Sequence, residues 1–208
     1  MLGLYIGIIL LLNIPYVQHR MSVLVAKELS TVLGSELTVG RINIGLLNRI
    51  IIDDLVLNDQ SGKELLKIGR LSAKFEILPL FSGKISIGNV QLFSFNANLE
   101  RPTPQASTNF QFVLDAFASK DTVKKKSNLD LRINSLLIRR GKVSYDVLSA
   151  ESTPGKFNPQ HIRLSNILAN ISLKALQNDS VNAAIKRMSV EEEHSGFELK
   201  KLSLKIIA

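Results

Sequence analysis

Three histidines, two adjacent aspartates, two Ser-Gly-Lys strings and a run of three glutamates are where this 208-residue chain could do chemistry. None has the spacing that chemistry needs. His19, His161 and His194 bear no ligand-like relation to one another and read as scattered surface histidines. Asp53 and Asp54 are neighbours on a candidate strand, where consecutive side chains point to opposite faces unless a bulge splays both to solvent. Ser61-Gly62-Lys63 and Ser82-Gly83-Lys84 lack the upstream glycine and downstream hydroxyl residue of a phosphate-binding loop, and both fall where a hairpin turn is expected. Glu191-Glu192-Glu193 reads as a strand end in water. Neither G-x-S-x-G nor H-E-x-x-H occurs, and the absence of cysteine excludes disulfides and thiolate metal sites. No catalytic residue, metal site or cofactor is expected; the chain reads as a binding protein.

The composition narrows the ligand. Hydrophobic residues make up 45% of the chain but aromatics only 6%, with no tryptophan, so aliphatic side chains supply the apolar surface. The net charge of +8 is spread over the chain, with Lys124-Lys125-Lys126 the only run. Aromatic residues do not interleave with a basic stripe, so nucleic acid is not an expected partner. A mild attraction to anionic lipid is.

The elements that must position such a surface begin with an apolar run, Leu2 to Val17, broken by Gly3, Gly7, Asn13 and Pro15. As a helix it spans roughly 24 Å, against roughly 30 Å of bilayer hydrocarbon. A cleaved signal peptide would have a basic start and an A-x-A site, and neither is present, while a buried core helix would be apolar on every side. Residues 1–17 are expected to be a transmembrane anchor. The flanking charge does not set its orientation, because His19 and Arg20 follow it and nothing charged precedes it. After Pro15 the period becomes helical: Val17, Met21, Leu24, Val25, Leu29, Val32 and Leu33 form one face, and Gly34 ends the pattern. Residues 18–34 are an amphipathic helix expected to pack on a domain.

From Leu37 onward one strand pattern recurs eight times: two apolar residues at spacing two, a polar or glycine pair, then two more apolar residues at spacing two. It runs Leu37-Val39, Gly40-Arg41, Ile42-Ile44; Ile50-Ile52, Asp53-Asp54, Leu55-Leu57; and, with Leu66 in front, Ile68, Gly69-Arg70, Leu71-Ala73. Ile85-Ile87, Gly88-Asn89, Val90-Leu92 and Leu131-Ile133, Asn134-Ser135, Leu136-Ile138 follow. The last three copies centre on Ser165-Asn166, Lys186-Arg187 and Lys200-Lys201, the final one carrying Leu199, Leu202 and Leu204. A step of three between halves flips the second half to the other face in a regular strand, and one extra residue in a β-bulge restores it. Gly40, Gly69 and Gly88 are the expected bulge glycines. The reading is a strongly curved sheet with one apolar face; strands folded over between two sheets explain the same pattern.

Asn58–Gly62, Pro79–Gly83, Arg140-Gly141, Gln177–Asp179 and His194–Gly196 are turn-prone, and such short connections favour an antiparallel meander. Residues 35–100 and 128–208 are expected to be two β segments. Between them, 101–127 is a loop, a short helix near 109–118 and a charged linker. Eight strands present about 32 inward apolar side chains, more than two amphipathic helices can cover. Sheet closure, more chain, a protein partner or lipid must cover the rest. Acyl chains are physically adequate, at about 0.8 kcal/mol per buried methylene.

Ile14-Pro15-Tyr16-Val17-Gln18, Leu33-Gly34 and Leu37-Thr38-Val39-Gly40-Arg41-Ile42 resemble the N-terminus of TamB-like proteins of the AsmA superfamily. So do Leu55-Val56-Leu57-Asn58-Asp59-Gln60-Ser61-Gly62 and Leu78-Pro79-Leu80-Phe81-Ser82-Gly83-Lys84-Ile85. Asn109-Phe110-Gln111-Phe112-Val113-Leu114-Asp115-Ala116-Phe117 is similar to the large versions of Bacteroidetes-type bacteria. The resemblance covers residues 14 to about 145 and continues only as strand pattern. It implies a mainly β protein, single-pass in the cell inner membrane, with a periplasmic sheet forming an open, taco-like groove. It also implies phospholipid as cargo between inner and outer membranes, and outer-membrane biogenesis with a TamA- or BamA-like barrel bound through a C-terminal region not present here. An assembly factor for nascent outer-membrane β-proteins is the alternative. Because Ile206-Ile207-Ala208 falls inside a strand pattern, the chain is expected to be the N-terminal part of a longer protein. The expected groove lining is Ile42, Ile44, Ile52, Leu55, Ile68, Leu71, Ile85, Ile87, Val90, Leu92, Leu131, Ile133, Leu136, Ile138, Leu199, Leu202 and Leu204.

Overall fold

The structure, a computed structural model, describes residues 3, 7, 10–45, 48–75, 85–117, 129–130, 134–177 and 180–207. At 75, 85–87, 117, 129–130, 173–177, 180–182 and 206–207 it describes the backbone only. Helix α1 (Pro15–Leu33) starts after Ile14, which is extended at φ −65°, ψ 130°. Pro15 suits a first helical position, where its missing N–H costs nothing. The helix ends at Gly34, in the left-handed region at φ 63° as expected, with the Ser35 N–H donating to the Ser30 carbonyl at 3.3 Å. Ser30 then ties the helix end to the sheet: its Oγ accepts from the Leu37 N–H at 2.9 Å.

The strands are β1 (Leu37–Gly45), β2 (Arg49–Asn58), β3 (Glu64–Phe75) and β4 (Ile85–Arg101), then β5 (Leu129–Asp130), β6 (Ser135–Val147), β7 (His161–Gln177), β8 (Ser180–Glu192) and β9 (Glu198–Ile207). They form one sheet in the order β1-β2-β3-β4-β6-β7-β8-β9, with β5 pairing β4 off that path. A single antiparallel meander was expected. The structure instead shows two four-strand meanders joined by a parallel pairing of β4 with β6. The reason is the connection. It runs through 102–134, with helix α2 (Gln111–Phe117) inside it, and a parallel neighbour needs a crossover of a dozen residues or more. Because every strand continues through one sheet, the fold-over reading of the pattern is excluded.

Asn58–Gly62 turns β2 into β3 as expected: Gly62 has φ 84° and the buried Asp59 carboxylate accepts from the N–H groups of Ser61 (2.8 Å) and Lys63 (2.9 Å). His194–Gly196 turns β8 into β9. Residues 178–179 and Pro79–Gly83, with the second Ser-Gly-Lys string, lie outside the described residues. Arg140-Gly141 is not a turn but the middle of β6.

The core joins Leu33 of α1 and Val113 of α2 to Leu37, Leu57 and Leu65. Leu65 is 1% exposed because a bulge, with Leu57 opposite Leu66 but Asn58 opposite Glu64, turns it inward beside Leu66. Helix α1 is seated differently from its sequence stripe. Gln18, Ser22 and Leu33 are its buried positions, whereas Leu24 and Val32 of the expected apolar face are 61% and 58% exposed. Polar pairing causes the rotation. Gln18 Nε2 donates to Asn43 Oδ1 at 2.6 Å, and Asn13 Nδ2 to the Ile44 carbonyl at 2.8 Å. β1 is an edge strand with backbone groups to satisfy, so polar helix residues are drawn to it. Among the described residues no helix is long and apolar enough to cross a membrane, and 1, 2, 4–6, 8 and 9 of the expected anchor lie outside them.

Candidate functional site

In several strands the polar pair turns outward as a unit. Gly40 and Arg41 are both exposed between half-buried Val39 and buried Ile42. Arg139-Arg140, Lys186-Arg187 and Lys200-Lys201 are likewise exposed side by side. Both apolar halves of a strand therefore share one face.

The means differs between the two meanders. In β1–β4 no residue is inserted at this line: Arg41 faces Asp53 and Val39 faces Leu55, then Asp53 faces Arg70 and Leu55 faces Ile68. The alternation is reset by single residues in the left-handed region, Asp54 (φ 56°) and Ser94 (φ 54°), joined in β6 and β7 by Arg140 (φ 54°) and Asn166 (φ 50°). Gly40 and Gly69 are thus not bulge residues and do not have positive φ. They sit across from Asp54 and Ser94, where an added Cβ would lie 3.0 Å from the Asp54 Cβ and 3.3 Å from the Ser94 Cβ. Their role is space for a neighbour's strained turn. The expected bulges do occur elsewhere. Gly88 is an extra residue between the pairs Lys74–Asn89 and Phe75–Ile87, and Lys186-Arg187 both oppose Ser203.

This resetting aligns side chains into continuous rows. One row is Ile42, Ile52, Leu71 and Leu92, continuing through Ile138, Ala169, Met188 and Leu202. The next is Ile44, Ile50, Ala73 and Val90, then Leu136, Ile171, Ile185 and Leu204. Each crosses all eight strands without a polar residue. Helix α1 runs along β1, and both helices pack where Leu37 and Leu57 lie. There Leu55 and Ile68 are 7% and 5% exposed; within the rows Ile42, Ala73 and Ala169 are also buried, whereas Ile44, Ile52, Leu71, Val90, Leu92, Leu136, Ile138 and Leu202 are only half-buried and Leu204 is exposed. Leu199 is half-buried opposite Val190. Of the remaining expected lining residues, Ile85 and Ile87 have backbone positions only, and Leu131 and Ile133 lie outside the described residues. Ile50, Ala73, Ala169, Ile171, Ile185 and Met188 complete the rows without having been singled out as lining. All but Ile171 belong to the recurring pattern, and only the register shows which residues meet.

The opposite face is polar. Asp53 accepts from Arg70 Nε at 2.6 Å and shares a shallow depression with Asp54 and Arg41, so the aspartate pair is a charge-balanced part of the outer surface. His161 is not a free surface histidine: Nδ1 lies 2.8 Å from Asp146 Oδ1 and Nε2 lies 3.0 Å from the Ala150 carbonyl. Those two acceptors hold its pKa above the usual value.

Glu192 is not in water either, at 2% exposed. Burial pushes its carboxyl up, but bonds from the Ser195 hydroxyl and N–H and from the Arg163 and His194 N–H groups bring it down to about 2. Its stabilisation is therefore complete above the unfolded pKa near 4.5 and fades as pH falls toward 2. Glu192→Gln should cost about 1–3 kcal/mol at pH 7 and flatten the loss of stability between pH 5 and 2. Urea unfolding across that range reads both, and an unchanged acid slope contradicts the assignment.

The fold and this face define a mainly β protein with an eight-strand mixed sheet whose apolar side, among the described residues, is covered by the helices only in part. No family model and no curated protein matches the chain.

Proposed function

We propose that the chain holds lipid along the apolar rows of its sheet. As its resemblance to TamB-like proteins implies, it would do so as an inner-membrane-anchored periplasmic groove carrying phospholipid toward the outer membrane. The observation that carries this reading is the pair of unbroken rows. They run from β1, the edge strand alongside the helix that follows the anchor, to β9. Seven strand spacings make about 34 Å, longer than an extended acyl chain and free of any polar side chain that hydrocarbon would have to desolvate. The part of the face left half-buried among the described residues supplies the area, and aliphatic side chains suit acyl chains without demanding one lipid species. A barrel of the TamA or BamA type would be met by a region beyond this chain.

Photo-crosslinking residues at Leu71 and Leu202 should capture phospholipid in cells, and the same residues at Arg139 and Lys201 on the outer face should not. Equal capture at all four sites would refute the reading. The assembly-factor alternative draws on one feature, the outer edge of β9, which has no partner strand among the described residues. Crosslinks from Leu202 and Leu204 to nascent barrel strands instead of lipid would favour it.

A further inference from the structure

Seven of the twelve large apolar side chains left exposed among the described residues lie between Leu10 and Val32. On α1, Tyr16 and Val23 lie to one side and the others are ordered. Ile14, Val17, Met21 and Leu24 follow one another at helical steps along a flank that Val32 rejoins one turn beyond the exposed Glu28, and Ile14, Leu24 and Val32 are 43%, 61% and 58% exposed. This flank is separate from the Gln18–Ser22–Leu33 line that meets the sheet. Arg20 and Lys27, both exposed, border it, and Glu28 is the only acidic residue of the helix. Arg20 lies over the ring of Tyr16, 5.6 Å from its centroid, so an aromatic ring and a long basic side chain stand together at the start of the helix.

Two further facts say what covers the flank. The extended Ile14 before Pro15 separates α1 from the preceding apolar run, so the two need not share an axis. The helix also lies lengthwise beside β1, bonded near one strand end through Asn13 to Ile44 and near the other through Ser30 to Leu37. We propose that α1 lies in the surface of an anionic bilayer, with the Ile14–Val32 flank in the interface and Arg20 and Lys27 reaching phosphate groups. This rests on the anchor reading, because it takes the run before Ile14 to be in the same membrane. It makes β1 the membrane-proximal strand and stands the apolar rows on end, leading away from the bilayer.

The cysteine-free chain permits clean single labels. The full-length protein would carry a polarity-sensitive fluorophore on Leu24→Cys, Val32→Cys or, on the outer sheet face, Lys142→Cys. Each would be placed in phosphatidylglycerol-containing vesicles whose lipids bear a quencher high on the acyl chain. Quenching at 24 and 32 but not at 142 is expected. Arg20→Gln with Lys27→Gln should lower the quenched fraction by about half in anionic vesicles and leave it unchanged in neutral ones. Three results would overturn the proposal: quenching at 24 and 32 by aqueous iodide as at 142; shielding from both quenchers, which means a protein partner; or equal quenching by a trace of quencher lipid in detergent, which means lipid held against the sheet. Crosslinking at Leu71 and Leu202 is read independently, so failure of this helix placement and failure of the lipid-holding reading are distinguishable.

Discussion

Replacing Leu92 and Ile138 together by aspartate should strip the protein of co-purifying phospholipid, at least about tenfold per mole, which corresponds to about 1.4 kcal/mol of lost affinity. The two residues are partners across the parallel β4–β6 junction, in the middle of a row that is otherwise aliphatic from Ile42 to Leu202. Both are half-buried, so water can reach the new carboxylates when the face is empty and the fold can tolerate them. An acyl chain laid over them would remove that water, and an unpaired carboxylate in hydrocarbon costs far more than the methylenes it contacts return. Arg139→Asp with Lys142→Asp places two carboxylates on the outer face of the same strand and should leave the lipid content unchanged. Mass spectrometry of the extracted lipid, with circular dichroism to confirm folding, decides the matter. Full lipid content in the double variant would leave the rows without a role.

Gly141→Ala should be among the most destabilising single-methyl additions available in this chain. A Cβ at Gly141 would fall against Cε1 of the Phe95 ring, well inside contact distance. Gly141 is buried in the sheet and sits beside Arg140, already in the left-handed region, so the strand has little freedom to move away. Overpacking of this kind costs typically about 1–3 kcal/mol. Phe95→Leu should recover part of the loss when combined with Gly141→Ala, although alone it leaves a gap and destabilises. A urea-unfolding double-mutant cycle gives the coupling, and additive effects would show that the ring is not the obstacle. Gly88→Ala offers the contrast, since among the described residues its added methyl meets nothing nearer than 3.6 Å.

The glycines illustrate what sequence reasoning could reach. Gly40 and Gly69 in the polar step correctly located the line where each strand resets its alternation, but the inference that glycine carries the unusual backbone was wrong for both. The left-handed residues are Asp54 and Ser94 in the neighbouring strands. Which residue bends and which makes room is a property of a pair across the sheet, and no single strand contains it. In β4 the step is Phe93-Ser94, whose phenylalanine disguises it as apolar run. In β6 the corresponding step, Arg139-Arg140, carries a basic pair and a following glycine that suggest a turn.

The same division holds for charge and for the helices. Glu192 and His161 looked like solvent-exposed groups because nothing local says otherwise; the β8–β9 turn buries one, and the loop after β6 brings Ala150 to the other. The apolar period of α1 was legible, but its seat on the sheet was decided by Gln18 and Asn13, polar residues bonding to β1.

Period and turn chemistry act over a few residues, so the residue order alone determined that there would be eight long strands, one apolar face and an amphipathic helix after Pro15. Register, the parallel β4–β6 junction and the part of the face that the helices reach depend on partners dozens of residues apart. Side chains become a row only when their strands are laid side by side, and that was decided by the tertiary structure.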